Sequence, residues 1–340
     1  MAVGVIFMFF RSKKFMIPLI VVLALAAIFA LSHLLFLRRD EAQIYGVSFS
    51  EEYAGYLELN PREVFRAILD DWGFRHLRLS AQWDAIEKQR GVYDFSSLDW
   101  QMDEAAKRGA KVILVVGQKI PRWPECHPPK WAAALSDEEY FSRLDDLAVA
   151  VVDRYKNHPA LEMWQVENEP FLPFGVCRAQ DSQRLAEEVS LVRRLDPTRK
   201  ILVTDSGEMS TWQRTARVGD YFGTTLYRVV WSKTFGYFNY DWLPPAFYRL
   251  KLWLAGRDAK AAFVAELQAE PWVPNHDIKT LEISEQYKSM SPDRFNKNID
   301  YSRRVGFPRA YLWGAEWWYW MEKKQGIADF ANFAKSLKKE

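Results

Sequence analysis

Eight short apolar runs, separated by amphipathic stretches and polar loops, constrain this chain more than any other feature. Read as strands they are Ile44–Phe49, His76–Leu79, Lys111–Val116, Glu162–Glu167, Lys200–Thr204, Tyr221–Leu226, Ala261–Ala265 and Ala310–Trp313. Between them Arg62–Trp72, Leu98–Lys107, Asp137–Tyr155, Ser182–Leu195, Pro245–Leu254 and Pro292–Val305 place apolar residues at helical spacing, several opened by Pro, Ser or Asp. Alternation in that number predicts an α/β fold closed into a (β/α)8 TIM barrel rather than an open doubly wound sheet. No Gly-rich phosphate loop follows any strand and no short repeat is visible. With 340 residues and 49% hydrophobic content, the chain can bury the large core such a barrel needs.

The first 39 residues differ from the rest. Phe15 to Leu37 is apolar apart from Pro18, Ser32 and His33, long enough as a helix to cross a hydrocarbon layer of about 30 Å. It exceeds the roughly 7–15 apolar residues of a cleaved signal peptide, so an uncleaved N-terminal transmembrane signal anchor is expected. Arg11, Lys13 and Lys14 precede it and Arg38 and Arg39 follow, a weak bias for a cytoplasmic N-terminus. The expected organisation is residues 1–39 as a short cytoplasmic segment and anchor, residues 40–340 as a catalytic barrel, and a single-pass membrane protein whose barrel is extracytoplasmic. Removing the five cations of residues 1–39, which carry no acids, turns the overall +2 into −3 for the remainder. That charge gives no footprint for nucleic acid.

In a barrel of this kind the site lies where strands end. Glu169 follows the fourth strand in Trp164-Gln165-Val166-Glu167-Asn168-Glu169-Pro170, and Glu266 ends the seventh in Ala262-Phe263-Val264-Ala265-Glu266-Leu267-Gln268. Two carboxyls held by strand ends on one face are the groups that acid/base and nucleophilic chemistry on a glycosidic bond requires, although a single glutamate is more often an ordinary surface residue. The same face is expected to carry Arg78, Gln82 and Trp83, Gln118 and Trp123, Asp205, Tyr227 and Arg228, and Trp313 with Glu316. By strand alternation Glu167 points to the same side as Glu169. Glu270 and Glu316 are further acids near strand ends, ranked below Glu266 because one lies four residues beyond its strand and the other in a tryptophan-rich loop.

These residues resemble the clan A glycoside hydrolases, the retaining (β/α)8 enzymes that include cellulases, mannanases, β-galactosidases and xylosidases, over nearly all of residues 43–335. The likeness is carried by Asn168-Glu169-Pro170, by Glu266, and by Trp83-Asp84-Ala85-Ile86-Glu87 with Gly91-Val92-Tyr93-Asp94-Phe95. The resemblance implies a glycosidase cleaving β-linked glycans through a covalent glycosyl-enzyme, with Glu169 as acid/base and Glu266 as nucleophile. It implies Asn168 at the sugar 2-hydroxyl and Trp313 under the sugar. Arg78 and Tyr227 are expected beside Glu266, and Gln268 and Trp272 are expected to line the sugar site. Where several clan families carry histidines beside the third or sixth strand, this chain reads Val116-Gly117-Gln118 and Thr225-Leu226-Tyr227-Arg228.

An oligo- or polysaccharide is the expected partner, besides a membrane through residues 15–37. No cofactor is expected. His33, His76, His127, His158 and His276 are scattered without partners at ligand spacing, so no metal is expected either. Cys126 and Cys177 fall in successive loops at one end, either bonded or free thiols. The aromatic stretch Val229–Trp242 either walls a glycan cleft or packs on the rim. Two other functions share the same residues: a catalytically silent glycan-binding barrel, and a transglycosylase using the same carboxylate pair.

Overall fold

The computed structural model describes residues 17–20, 42–274 and 277–337. Eight parallel strands close into a barrel: β1 (Ile44–Ser48), β2 (His76–Ser80), β3 (Lys111–Val116), β4 (Leu161–Val166), β5 (Ile201–Asp205), β6 (Tyr221–Leu226), β9 (Ala262–Gln268) and β10 (Arg309–Trp313). They pair in chain order around the ring, and β1 meets both β2 and β10. β3, β5 and β9 are buried almost along their whole length because each is covered by helices outside and side chains inside. Ile113, Met163, Leu202, Phe263 and Tyr311 fill the interior. Gly46 makes room for that layer, since a Cβ there would lie 2.6 Å from the Tyr311 ring.

The outer helices start and stop as their ends dictate. Asp137–Tyr155 is capped by Ser136, whose hydroxyl accepts from Glu139 N, and three acids occupy its first turn. Ser182–Leu195 is capped by Asp181 and ends on Arg193 and Arg194. Pro292–Val305 is opened by Ser291 and Pro292 and closed by Gly306 at φ 77°. The stretch expected as one helix from Arg62 to Trp72 is instead the helix Pro61–Arg66 continued by a wider turn, Ala67–Asp71, in which Trp72 N donates to Ala67 O. Two C-terminal helices, Ala315–Lys324 and Asp329–Ser336, lie against the barrel and bury Trp317, Trp318 and Phe330. Each such side chain contributes roughly 1.5–3 kcal/mol by leaving water.

The residues after β6 form an antiparallel hairpin, β7 (Val229–Ser232) and β8 (Gly236–Asn239), outside the barrel order. Cys126 and Cys177 are disulfide-bonded and join the loop after β3 to the loop after β4. The expected anchor, Phe15–Leu37, lies outside the described residues except for 17–20. Among the described residues no helix is long and apolar enough to cross a membrane.

Candidate active site

Both glutamates reach the site through departures from regular strand geometry. β4 ends at Val166, and Glu167 and Glu169 both take positive φ, 62° and 46°. Such backbone is costly for residues with a Cβ and collects at functional sites. It also breaks the alternation expected there. Glu167 turns away from the cavity and accepts from Gln118 N at 2.6 Å and Lys119 N at 2.9 Å. Gly117, at φ 133°, leaves it room, since a Cβ would lie 2.4 Å from Glu167 Oε1. Glu169 faces the cavity, with Oε1 accepting from Thr225 Oγ1 at 3.0 Å.

On β9 the pairing register slips against both neighbours between Val264 and Leu267. Phe263 faces the barrel interior, so strict alternation would send Glu266 outward. The bulge turns it into the cavity instead. There Glu266 Oε1 accepts from Arg78 Nη1 at 2.8 Å and Oε2 from the Tyr227 hydroxyl at 2.9 Å. Arg78 spends its other donors on Gln165 Oε1, at 2.8 Å, and Asn168 Oδ1, at 2.7 Å. It lies beneath the site, holding Glu266 and Asn168, rather than lining the cavity. Asn168 is likewise buried, with Thr204 Oγ1 donating to its Oδ1 and its Nδ2 lying 3.4 Å from Glu125 Oε2.

The protonation environments differ. Burial, then the neighbouring charges of Glu266 and Glu125, push the Glu169 carboxyl well above the ordinary range. A third cavity carboxyl, Glu125, is pushed up to about 7 by burial and then by Glu266. The Tyr227 phenol is raised by burial and by Glu266, so it remains a donor.

The cavity occupies about 740 Å³ at the C-terminal ends of the strands, and Glu169, Glu266, Tyr227, Trp272 and Trp313 all line it. One face of Trp313 is covered by the Arg122 guanidinium, 4.1 Å from the ring centre, which in turn lies 3.7 Å from the Tyr53 ring. Arg122 is fixed there by ion pairs to Glu270 and Glu316. Those two acids share the one Arg122 guanidinium, and Glu316 is fully buried. Trp272 meets Tyr227 edge-on at 5.2 Å.

Gln268 departs from the expected placement. Its Oε1 accepts from Arg228 N and Val229 N and its Nε2 donates to Val229 O, so the whole amide pins the start of the hairpin instead of lining the cavity. His127 is buried between Arg122 O and Glu52 and does not line the cavity. The hairpin does, through Trp231, Phe235 and Phe238 among others. Among the described residues no group of His, Cys, Asp and Glu is arranged to hold a metal. Sequence reasoning missed Glu125, Arg122 and Glu208, all cavity-lining. Glu125 has one local signal, its adjacency to Cys126 in a loop tied to the β4 loop.

The family profile for the TIM-barrel domain of glycosyl hydrolases family 2 matches residues 96–231, a segment that contains Glu169 and stops short of Glu266. β-Galactosidase BgaB of Geobacillus sp. (strain Y412MC61) is 32% identical over 104 residues, 26% of this chain and 16% of that protein. Endo-1,4-β-xylanase 2 of Claviceps purpurea is 27% identical over 135 residues, 37% of this chain and 39% of that protein. The chain thus spans less than a fifth of that β-galactosidase. Among solved structures, the cold-adapted β-galactosidase of Rahnella sp. R3 superposes with TM-score 0.60 at 13% identity over 89% of this chain and 56% of that one. A psychrophilic family 10 endo-β-1,4-xylanase superposes with TM-score 0.51 at 14% identity, over 80% and 85% respectively. A closed parallel barrel with two strand-end glutamates on one cavity, similar over residues 96–231 to the TIM-barrel domain of glycosyl hydrolases family 2, supports a clan A-like glycoside hydrolase reading of this chain.

Proposed function

We propose that the chain hydrolyses β-linked glycosides with retention of configuration. The observation that carries this reading is the pairing of Glu169, buried and shifted toward its protonated form, with Glu266, held by a guanidinium and a phenol, in one cavity. Glu169 gives its proton to the glycosidic oxygen as that bond breaks, while a Glu266 oxygen bonds to the anomeric carbon. Glu169, now ionised, then takes a proton from water, whose oxygen attacks the anomeric carbon and releases Glu266. Tyr227 and Arg78 keep Glu266 oriented for both displacements. Asn168 and Trp313 are assigned to the sugar, at the 2-hydroxyl and beneath the ring. Residues 40–340 form the catalytic unit, and Phe15–Leu37 is proposed to tether it to a membrane with the barrel outside the cytoplasm.

The test is inactivation by 2-deoxy-2-fluoro β-glycosides with good leaving groups, followed by peptide mass mapping. A stoichiometric adduct on Glu266 is expected. Turnover of β-glycosides with no adduct on Glu266, or with inversion at the anomeric carbon, overturns the mechanism. Absence of both turnover and adduct favours a glycan-binding barrel.

A further inference from the structure

The mouth of the cavity is more apolar than a saccharide alone calls for. Met209 is 70% exposed, Phe235 78%, Trp123 49% and Phe238 40%, and all four line the same cavity although they come from three separate loops. Exposed apolar residues normally occur singly; a contiguous group around a concavity marks a binding surface. Along one wall the rings of Trp123 and Phe174 meet at 5.2 Å, Phe174 and Trp272 at 5.7 Å, and Trp272 and Tyr227 at 5.2 Å. That apolar path runs from solvent to the phenol that holds Glu266. The side chains of Met209, Phe235 and Phe238, which line the same cavity, offer no strong hydrogen bond. A thioether chain has no flat face for a pyranose, but it conforms readily to an alkyl chain.

From these observations we infer that the outer part of the cavity is a subsite for an alkyl chain, so that the substrate is an amphiphilic β-glycoside with its sugar at Glu169 and Glu266 and its apolar aglycone along the rim. This inference rests on the glycosidase reading for the sugar end only. The buried acids Glu169, Glu266 and Glu125 lie at the base, and the exposed lining is mainly the apolar Trp123, Met209, Phe235 and Phe238, with Glu52 and Tyr56 as its polar members. Each methylene that leaves water in the subsite is expected to tighten binding by up to about fourfold.

The test is calorimetric titration of the full chain carrying Glu169→Gln, which slows turnover of alkyl glycosides by about 10²–10⁴-fold, with methyl, butyl and octyl β-D-glucosides and β-D-galactosides below their micelle-forming concentrations. The expected result is octyl binding at least about thirtyfold tighter than methyl, a fraction of what full burial of the added methylenes allows. In the double variant Met209→Ser and Phe235→Ser that ratio should fall below about threefold, while both folded chains melt alike because the two residues are exposed. Equal affinities for methyl and octyl glycosides overturn the inference. So does an affinity that rises with the number of sugar units but not with alkyl length, since the rim would then be a platform for sugars. Failure to bind any alkyl glycoside overturns it as well. Fluorosugar labelling reads Glu266 chemistry and the alkyl ladder reads the rim, so the two readings fail separately.

Discussion

Arg78 Nη1 donates to Glu266 Oε1 across 2.8 Å, with the two side chains 0% and 4% exposed. A charge pair this deeply buried is expensive to break, because the remaining partner is left unpaired away from water. Replacing Arg78 by Met should lower thermal stability by about 3–5 kcal/mol and kcat/KM by at least about a hundredfold near neutral pH. Melting curves and steady-state kinetics of the variant check both parts; a variant with wild-type kcat/KM would remove Arg78 from the positioning of Glu266.

As the proposed general acid Glu169 must be protonated, and burial with the charges of Glu266 and Glu125 raises its carboxyl. Activity should therefore persist at neutral pH and fall as pH climbs through that raised value. Glu169→Gln should lose about 10²–10⁴-fold in turnover of alkyl glycosides, whose leaving groups need the proton. It should lose far less in the first step with dinitrophenyl glycosides, whose leaving groups do not, and the high-pH limb should vanish. A pre-steady-state burst of dinitrophenolate from the variant is the measurement, and a uniform loss across leaving groups would argue against the acid role.

The barrel was legible in the chain because strands covered on both faces produce uninterrupted apolar runs. β3 and β6 start and stop at the residues the sequence indicated, Lys111 to Val116 and Tyr221 to Leu226. The two glutamates were legible as strand-end acids, but the reason they converge was not. Glu169 depends on left-handed backbone and Glu266 on a bulge, and neither leaves a periodic trace. Gln268 was placed at the sugar by its nearness to Glu266, whereas its amide is used by the backbone of residues 228–229. Glu125 and Arg122 sit in a loop whose path is set by tertiary contacts, including the packing of Gly175 against Glu125 and Pro124, so beyond the neighbouring Cys126 no local pattern announces them. The widened turn at Ala67–Asp71 buries Ile68, Leu69 and Trp72 much as a regular helix would, which hides it in the apolar spacing.

Glu125 offers a sign-defined test of that third carboxyl. Its folded value of about 7 lies above the ordinary 4.5, so the folded protein holds the proton more tightly than the unfolded chain. The associated stability is fully present below pH 4.5 and lost as pH rises through 7. Glu125→Gln keeps a neutral group at every pH. It should leave melting nearly unchanged at pH 4 and stabilise the protein by up to about 3 kcal/mol at pH 8. Denaturant melts at the two pH values decide it: a gain at pH 4 that is equal to or larger than the gain at pH 8 would contradict the burial argument.

The bond between Cys126 and Cys177 closes a loop of sequence separation 51 and holds the segment that carries Arg122 and Glu125 against the segment after Glu169. Chain-entropy reasoning gives such a crosslink about 4 kcal/mol through the unfolded state. Loss of the bond in a Cys126→Ser, Cys177→Ser variant should lower stability by about 2–4 kcal/mol. The effect on activity should exceed what melting alone explains. Arg122 covers one face of Trp313 and Glu125 meets Asn168, so a loosened loop disturbs the proposed sugar platform and the proposed 2-hydroxyl contact together. KM for a simple β-glycoside should rise well below the melting temperature, whereas a purely global role for the disulfide would leave KM unchanged until the chain unfolds.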